Sequence, residues 1–303
     1  MALDRRPISI PSARRLALLA ALVLAGAVGT AVALWQSGGD GGGEADPGPV
    51  HVHGLGVDPA DGSLFIATHS GLYRVAEGEE RAERVGERLQ DTMGFTVVGP
   101  NRFLGSGHPD LDEAREEDLP PHLGLIESGD AGRSWERISL LGEADFHVLR
   151  SSGDRIYGYD ASNDRLLASG DRGRTWNELS RPGPILDLAV APLRPGRLVA
   201  VSLGGPEEGL FESRDGGRSW RQLGTEVGLL AWPALDRLHL VTGDGEVRAS
   251  SDGGRSFERR GRIGGQPAAF LARGENELYV ALHDGSIKRS TDGGATWTLR
   301  STP

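Results

Sequence analysis

The strongest constraint on this chain of 303 residues is an octapeptide, Ser-x-Asp-x-Gly-x-Ser/Thr-aromatic, that occurs five times. The copies are SGDAGRSW (128–135), SGDRGRTW (169–176), SRDGGRSW (213–220), SSDGGRSF (250–257) and STDGGATW (290–297). Their aspartates, Asp130, Asp171, Asp215, Asp252 and Asp292, are separated by 41, 44, 37 and 40 residues. A sixth, decayed copy is visible where GLYRVAEGEERAERVG (71–86) aligns without a gap on GLFESRDGGRSWRQLG (209–224). Glu77 replaces the aspartate there and Ala82 the aromatic. A fixed period of roughly 40 residues means one supersecondary unit repeated, each copy too small to bury its own core.

Within each period the apolar residues alternate in four short runs. In the period of the third intact copy these are ILDLAVA, RLVAVS, GLFES and the segment after the octapeptide, with PLRPG between the first two. Period-2 runs of 4–8 residues bounded by Gly, Pro and Asp are strands joined by tight turns. Composition agrees: 46 Gly and 17 Pro make 63 of 303 residues. Interior glycine costs a helix about 0.5–1 kcal/mol each, so a helical bundle is disfavoured. Four strands per period, repeated around a ring, make a six-bladed all-β propeller over 50–303. The absence of cysteine removes disulfide frameworks, thiolate metal sites, cysteine nucleophiles and a lipidated cysteine anchor.

The N-terminal part follows different rules. Residues 16–35, LALLAALVLAGAVGTAVALW, carry no charge, and Arg5, Arg6, Arg14 and Arg15 precede them. Twenty helical residues reach about 30 Å, one bilayer core, and flanking arginines hold the preceding end in the cytoplasm. The expectation is a basic cytoplasmic segment (1–15), a transmembrane anchor (16–35), a Gly-rich linker (36–49) and an extracytoplasmic propeller at the bacterial cell membrane. Cleavage of a signal peptide after Ala33 would instead release the propeller. Residues 1–35 carry four Arg and one Asp, or +3, so the rest carries −10 − 3 = −13. An acidic body argues against nucleic acid as a partner.

The octapeptide resembles the Asp-box, the bacterial neuraminidase repeat of sialidase-like propellers. The resemblance covers essentially everything after the linker and implies structural roles for the repeated residues: Asp accepts backbone N–H bonds inside the turn, Gly takes a positive φ, and the aromatic packs between blades. The segments HVHGLGVDPADG, ATHSGLYRV, DTMGFTVVG, GSGHPDL, HLGLIESGD and GEADFHVLR are also similar to a group of bacterial, mostly membrane-anchored Asp-box proteins labelled glycosylhydrolase-like or exo-α-sialidase-like. The Phe/Tyr-Arg-Ile-Pro string that carries the first arginine of the sialidase triad is missing, so no sialidase catalytic residue transfers. Photosystem assembly factors have similar repeats, and that likeness implies a non-catalytic protein-binding platform instead.

Alternating strand direction assigns every loop to one of two ends. The Asp-boxes take one end; loops between second and third strands, and those leading into each first strand, take the other. His51, His53, His69, His108, His122, His147 and His283 all map to that other end, and only His239 is a strand residue. Asp91, Asp145, Asp160, Asp187 and Asp284 map there as well. Imidazoles beside carboxylates suit a divalent transition metal or acid–base chemistry. The expected ligand-binding residues are His51, His53, His69, His108, His147 and Tyr159. A metal would use His53, His69, His108 and His147, and Asp91, Asp145 and Asp160 are the candidate catalytic carboxylates. HPDLDEAREEDLPPH (108–122) is the one long insertion, a candidate binding loop. The function expected is a monomeric, membrane-tethered module that binds a glycan, metal or envelope protein through this face. A non-sialidase glycoside hydrolase and an assembly scaffold are the alternatives.

Overall fold

The computed structural model describes residues 48–49 and 51–303. The anchor expected at 16–35, the segment 1–15 and most of the linker lie outside them. Among the described residues no helix is long and apolar enough to cross a membrane. Residues 51–303 form six four-stranded antiparallel sheets, each made of four consecutive strands. Blade 1 contains β1 (Val52–Val57), β2 (Leu64–Thr68), β3 (Gly71–Val75) and β4 (Glu83–Arg84). Blade 2 contains β5 (Asp91–Gly99), β6 (Arg102–His108), β7 (Leu125–Ser128) and β8 (Glu136–Ser139), with helix α1 (Leu111–Glu116) between β6 and β7. Blade 3 contains β9 (Phe146–Ser152), β10 (Arg155–Asp160), β11 (Arg165–Ser169) and β12 (Asn177–Leu179). Blade 4 contains β13 (Ile185–Val190), β14 (Leu198–Ser202), β15 (Gly209–Ser213) and β16 (Arg221–Gly224). Blade 5 contains β17 (Leu229–Ala234), β18 (Arg237–Val241), β19 (Glu246–Ser250) and β20 (Glu258–Arg262). Blade 6 contains β21 (Pro267–Arg273), β22 (Glu277–Leu282), β23 (Ile287–Ser290) and β24 (Thr298–Ser301).

First strands contact one another from blade to blade and close between β21 and β1, so they form the inner ring. Second strands are the most buried; β2 and β14 carry no exposed residue. Apolar side chains from facing blades fill six separate cores. Five of these cores take the aromatic of an Asp-box: Trp135, Trp176, Trp220, Phe257 and Trp297 each pack against the preceding blade. The sixth, between blades 6 and 1, receives Ala82 in place of the ring. There the Arg300 guanidinium donates to the carbonyls of Ala76, at 2.8 Å, and Glu79, and Arg81 forms a parallel bridge with Thr302. Closure therefore uses six self-contained blades, with no strand exchanged between first and last sheets.

The boxes work as local clamps. In blade 4 the buried Ser213 hydroxyl donates to Asp215 at 2.8 Å and accepts the Gly217 N–H at 2.8 Å. Asp215 accepts the N–H groups of Arg218 and Ser219 at 3.0 Å and the Ser219 hydroxyl at 2.6 Å. Gly217 has φ 87°, a conformation costly for any residue with a Cβ. The Ser219 hydroxyl and backbone N–H pull the Asp215 carboxyl down to about 2, and Thr296 does the same to Asp292. For Asp171 the Thr175 backbone N–H and hydroxyl have that effect.

Two outcomes follow from the clamp. Ser213→Ala leaves the buried Gly217 N–H without its acceptor and lowers stability by about 1–3 kcal/mol, measurable as a shift of the urea midpoint. Asp171, Asp215 and Asp292 are held at about 2 in the folded state against an ordinary 3.8, so their contribution is complete above about pH 4 and is lost as pH falls towards 2. Asp215→Asn should flatten the acid limb of the stability profile between those values. An unchanged acid limb would show that the boxes do not govern acid unfolding.

Candidate functional site

The site grows out of a defect repeated in the inner strands. Where β1 pairs with β2, Val52 faces Thr68 and Gly54 faces Ala67, so His53 is an extra residue. In blade 2 Thr92 faces Gly107 and Gly94 faces Ser106, leaving Met93 extra. In blade 3 Phe146 faces Asp160 and Val148 faces Tyr159, leaving His147 extra. A β-bulge bends its strand and re-aims one side chain, and the same bulge recurs at Leu186 in blade 4 and Ala268 in blade 6, so it belongs to the repeat. In blades 1 to 3, two residues before the extra one lies His51, Asp91 or Asp145. Opposite that position, where the second strand ends, stands His69, His108 or Ala161: Asp91 is the register partner of His108, and the Ala161 N–H donates to the Asp145 carbonyl.

Neighbouring blades come close enough for these positions to meet. A Cβ on Gly94 would overlap the Phe146 carbonyl, so only glycine lets β5 lie this near β9. The Phe146 N–H donates to the Ser106 hydroxyl at 3.0 Å, fixing the start of β9 against β6.

Two groups result. In the first, His69 Nδ1 lies 2.8 Å from Asp91 Oδ2 and His53 Nε2 lies 3.7 Å from Asp91 Oδ1. The His53 and His69 rings meet edge-on at 4.3 Å, with His51 5.6 Å from His69. In the second, His108, His122 and Asp145 converge, with His108 Nε2 3.9 Å from Asp145 Oδ2. His147 Nε2 also reaches Asp145 Oδ2, at 2.9 Å. In each group of two histidines and one aspartate, one potential ligand atom per residue lies within 4.8 Å of the others. Tetrahedral donors about 2.0–2.1 Å from a zinc ion are about 3.4 Å apart, inside this spread.

Electrostatics separates the histidines by role. Burial dominates at His53 and pushes it down to about 3, against the pull of Asp91 and with the help of His69, His147 and His51, so it is neutral at any physiological pH. The hydrogen bond to Asp91 raises His69. Burial alone would raise Asp145, but the His147 hydrogen bond and the charges of His147, His108 and His122 outweigh it and hold the carboxyl low. His108 Nδ1 lies 2.9 Å from the Pro121 carbonyl, which can only accept, so Nδ1 carries a proton and Nε2 is the atom that faces Asp145. His53 Nε2, Asp91 Oδ1, His122 Nδ1 and Asp145 Oδ1 are buried atoms with no hydrogen-bond partner among the described residues. Leaving such an atom unpaired costs about 1–3 kcal/mol.

The expected site residues divide accordingly. His51, His53, His69 and Asp91 come together, as do His108, His147 and Asp145; the four expected metal histidines do not form a single set. Asp160 is fully buried and held by Arg165 at 2.7 Å, Asn163 at 2.9 Å and the Asp145 N–H at 3.2 Å, which is a structural position. Tyr159 packs in the core between blades 3 and 4 and donates to Asp164 at 2.7 Å; burial first, then Asp164, raises its phenol to about 12. Asp187 is consumed by Arg150 at 2.6 Å and by the N–H groups of Leu188 and Leu230. His239 is a buried core residue, lowered by burial to about 4.

His122 joins the site although it is not among the expected ligands. Its signal is present in the insertion, which begins and ends in histidine and must return to the place it leaves. Asp110 caps α1 and accepts the Leu89 N–H at 2.7 Å, while Glu113 binds Arg88 at 2.8 Å. Arg137 holds Glu117 at 2.6 Å, so these acidic residues anchor the loop and leave its histidine ends for the mouth. At the Asp-box end, Arg194, Arg197, Arg214 and Arg255 line an open cleft. Arg197 and Arg214 there share the buried Glu212.

No protein-family profile and no curated protein matches the chain. Solved structures do. YCF48 from Cyanidioschyzon merolae superposes with a TM-score of 0.52 at 14% identity, covering 84% of this chain and 86% of that one. A chain of the nidogen/laminin complex gives a TM-score of 0.63 at 14% identity, covering 80% and 93%. YCF48 bound to D1 peptide gives 0.52 at 18% identity, covering 84% and 82%. At these identities the likeness is one of fold: the chain is a β-propeller.

Structural and mouth residues should respond differently to substitution. Asp160→Ala removes a buried carboxylate from a partly exposed arginine and from two further donors, and should cost about 2–4 kcal/mol in chemical denaturation. His69→Ala takes only one partner from the partly exposed Asp91 and should cost less, about 1 kcal/mol. Equal losses at both positions would place His69 in the structural framework.

Proposed function

We propose that this chain is a binding module of the cell envelope whose His/Asp mouth captures a divalent transition metal, at which a further ligand docks. The observation that carries the reading is the set of four buried, unpartnered ligand-type atoms on His53, Asp91, His122 and Asp145. The same fold satisfies Asp160 and Asp187 completely, using arginine and backbone donors. Carboxylates left open beside imidazoles suit a cation, and two imidazoles with one carboxylate match a common zinc ligand set. The uncharged run at 16–35, preceded by arginines, supports tethering with the propeller outside the membrane. A glycosidase reading finds less support, because Asp91 and Asp145 are each engaged by histidines and Asp160 by Arg165.

A second reading, with a peptide or envelope protein as the docked ligand, is favoured by the structure of YCF48 bound to D1 peptide. The two readings are compatible if the partner supplies a donor atom to the ion.

Metal binding is tested by adding zinc to metal-stripped protein. At a free concentration of about 100 times Kd, zinc should stabilise the fold by about 2.7 kcal/mol, since only the folded state presents the donors together. Magnesium at the same concentration should have no effect, because its ligands are oxygens. Identical unfolding midpoints with and without zinc, and no metal retained through gel filtration, would reject the reading.

A further inference from the structure

The mouth repeats one arrangement twice, a blade apart. His69 and His108 occupy the same place in blades 1 and 2, at the end of the second strand and opposite the position two residues before the bulge. Each faces the aspartate that stands two residues before the bulge of the next blade: His69 faces Asp91 at 2.8 Å, and His108 faces Asp145 at 3.9 Å. The remaining histidine comes from a different source each time. In the first group it is the bulge residue His53; the equivalent in blade 2 is Met93, and the long insertion brings His122 to the second group instead.

We propose that the mouth holds two divalent transition metal ions in equivalent sites one blade apart, one bound by His53, His69 and Asp91 and the other by His108, His122 and Asp145. The inference rests on the reading that this face binds metal, and adds the number of ions and the ligands of each. Both groups contain their own unpartnered buried atoms: His53 Nε2 and Asp91 Oδ1 in one, His122 Nδ1 and Asp145 Oδ1 in the other. Asp145 is 5% exposed, so its open oxygen has no access to bulk water to satisfy it. The second group also has the outer contact that orients a ligating histidine, because the His108 Nδ1–H donates to the Pro121 carbonyl and leaves Nε2 free to ligate. The insertion 108–122 thereby builds most of the second site. Its first residue is one ligand, its last another, and its penultimate residue provides that carbonyl.

The arrangement stops after two steps for a visible reason. In blade 3 the position of His69 and His108 is Ala161, whose N–H donates to the Asp145 carbonyl. In blade 4 the position of Asp91 and Asp145 is Pro184, whose carbonyl accepts from Leu203. His283 has the equivalent place in blade 6, but the position it would face in blade 1 is His51, so no carboxylate is present. Each site has three protein ligands, leaving at least one coordination position on each ion for water or a donor atom of the docked ligand. Because Asp91, of the first group, and His108, of the second, are direct register partners, the two groups adjoin each other along the mouth.

The test is metal stoichiometry by equilibrium dialysis and elemental analysis, using Zn²⁺ or Co²⁺ alone as probe on the purified protein. Wild type should bind two ions per chain, His69→Ala one, His122→Ala one, and the double variant none. The d–d absorption of Co²⁺ should rise to a break at two equivalents in wild type, which keeps the test decisive if a variant fails to fold. One ion in wild type, lost entirely in either variant, would establish a single shared centre and overturn the two-site proposal while leaving metal binding intact. Two ions retained by His122→Ala would overturn the second ligand set. No bound ion in wild type would overturn this proposal and the metal reading beneath it.

Discussion

Everything in this protein depends on sheets being buried on both faces by their neighbours. A four-stranded sheet with second strands as apolar as LFIAT and LVAVS cannot face water on either side. Each blade therefore needs a blade before it and one after it, and only closure into a ring provides both for all six. Five of the six interfacial cores include an Asp-box aromatic lying on the preceding blade. At the seam between blades 6 and 1 Ala82 stands where the other blades have the aromatic, and the lost area is accompanied by backbone contacts from Arg300 and Arg81. A ring held by packing, with no cysteine, does not depend on disulfide formation.

That rigidity gives the mouth its character. The inner strands are locked by their pairing and by close approaches such as Gly94 against Phe146, so the bulges at His53, Met93 and His147 hold side chains in fixed directions. A fixed scaffold can keep polar atoms unsatisfied that a mobile loop would turn towards water. Four unpaired buried atoms at about 1–3 kcal/mol each form a sizeable fraction of the stability typical of a domain, about 5–15 kcal/mol. A ring built from six extensive cores can sustain that cost, and an ion that fills the gap recovers it at binding.

Much of this is legible in the sequence, for identifiable reasons. The octapeptides name their own turns, because Ser, Asp and Gly at those spacings have one economical hydrogen-bond arrangement, and their period counts the blades. The end of the ring that collects histidines follows from strand alternation alone, which is why His53, His69, His108 and His147 can be assigned to one face without coordinates. Which of them touch is a different matter, because it depends on bulges that add one residue to one strand and leave no signature in hydrophobic alternation. Asp160 shows the limit most clearly: it sits at the expected end, yet Arg165, five residues on across a tight turn, takes its carboxylate inward. Tyr159 fails similarly, since its neighbour in strand alternation faces the other way and its ring belongs to the core.

The contrast among the mouth carboxylates points to how a repeat becomes a site. Asp187 meets Arg150 and two backbone N–H groups, and Asp160 meets Arg165, Asn163 and one backbone N–H. The chain thus provides its own cation where a carboxylate serves structure. At Asp91 and Asp145 the corresponding neighbours are imidazoles, and burial strips the charge from one of them, His53, outright. A guanidinium would close these positions permanently, whereas a neutral imidazole contributes a lone pair and leaves the positive charge to come from outside. On the proposed metal reading, replacing arginine by histidine around a buried carboxylate turns a structural joint of the propeller into a place for a cation, with the backbone of the repeat unchanged.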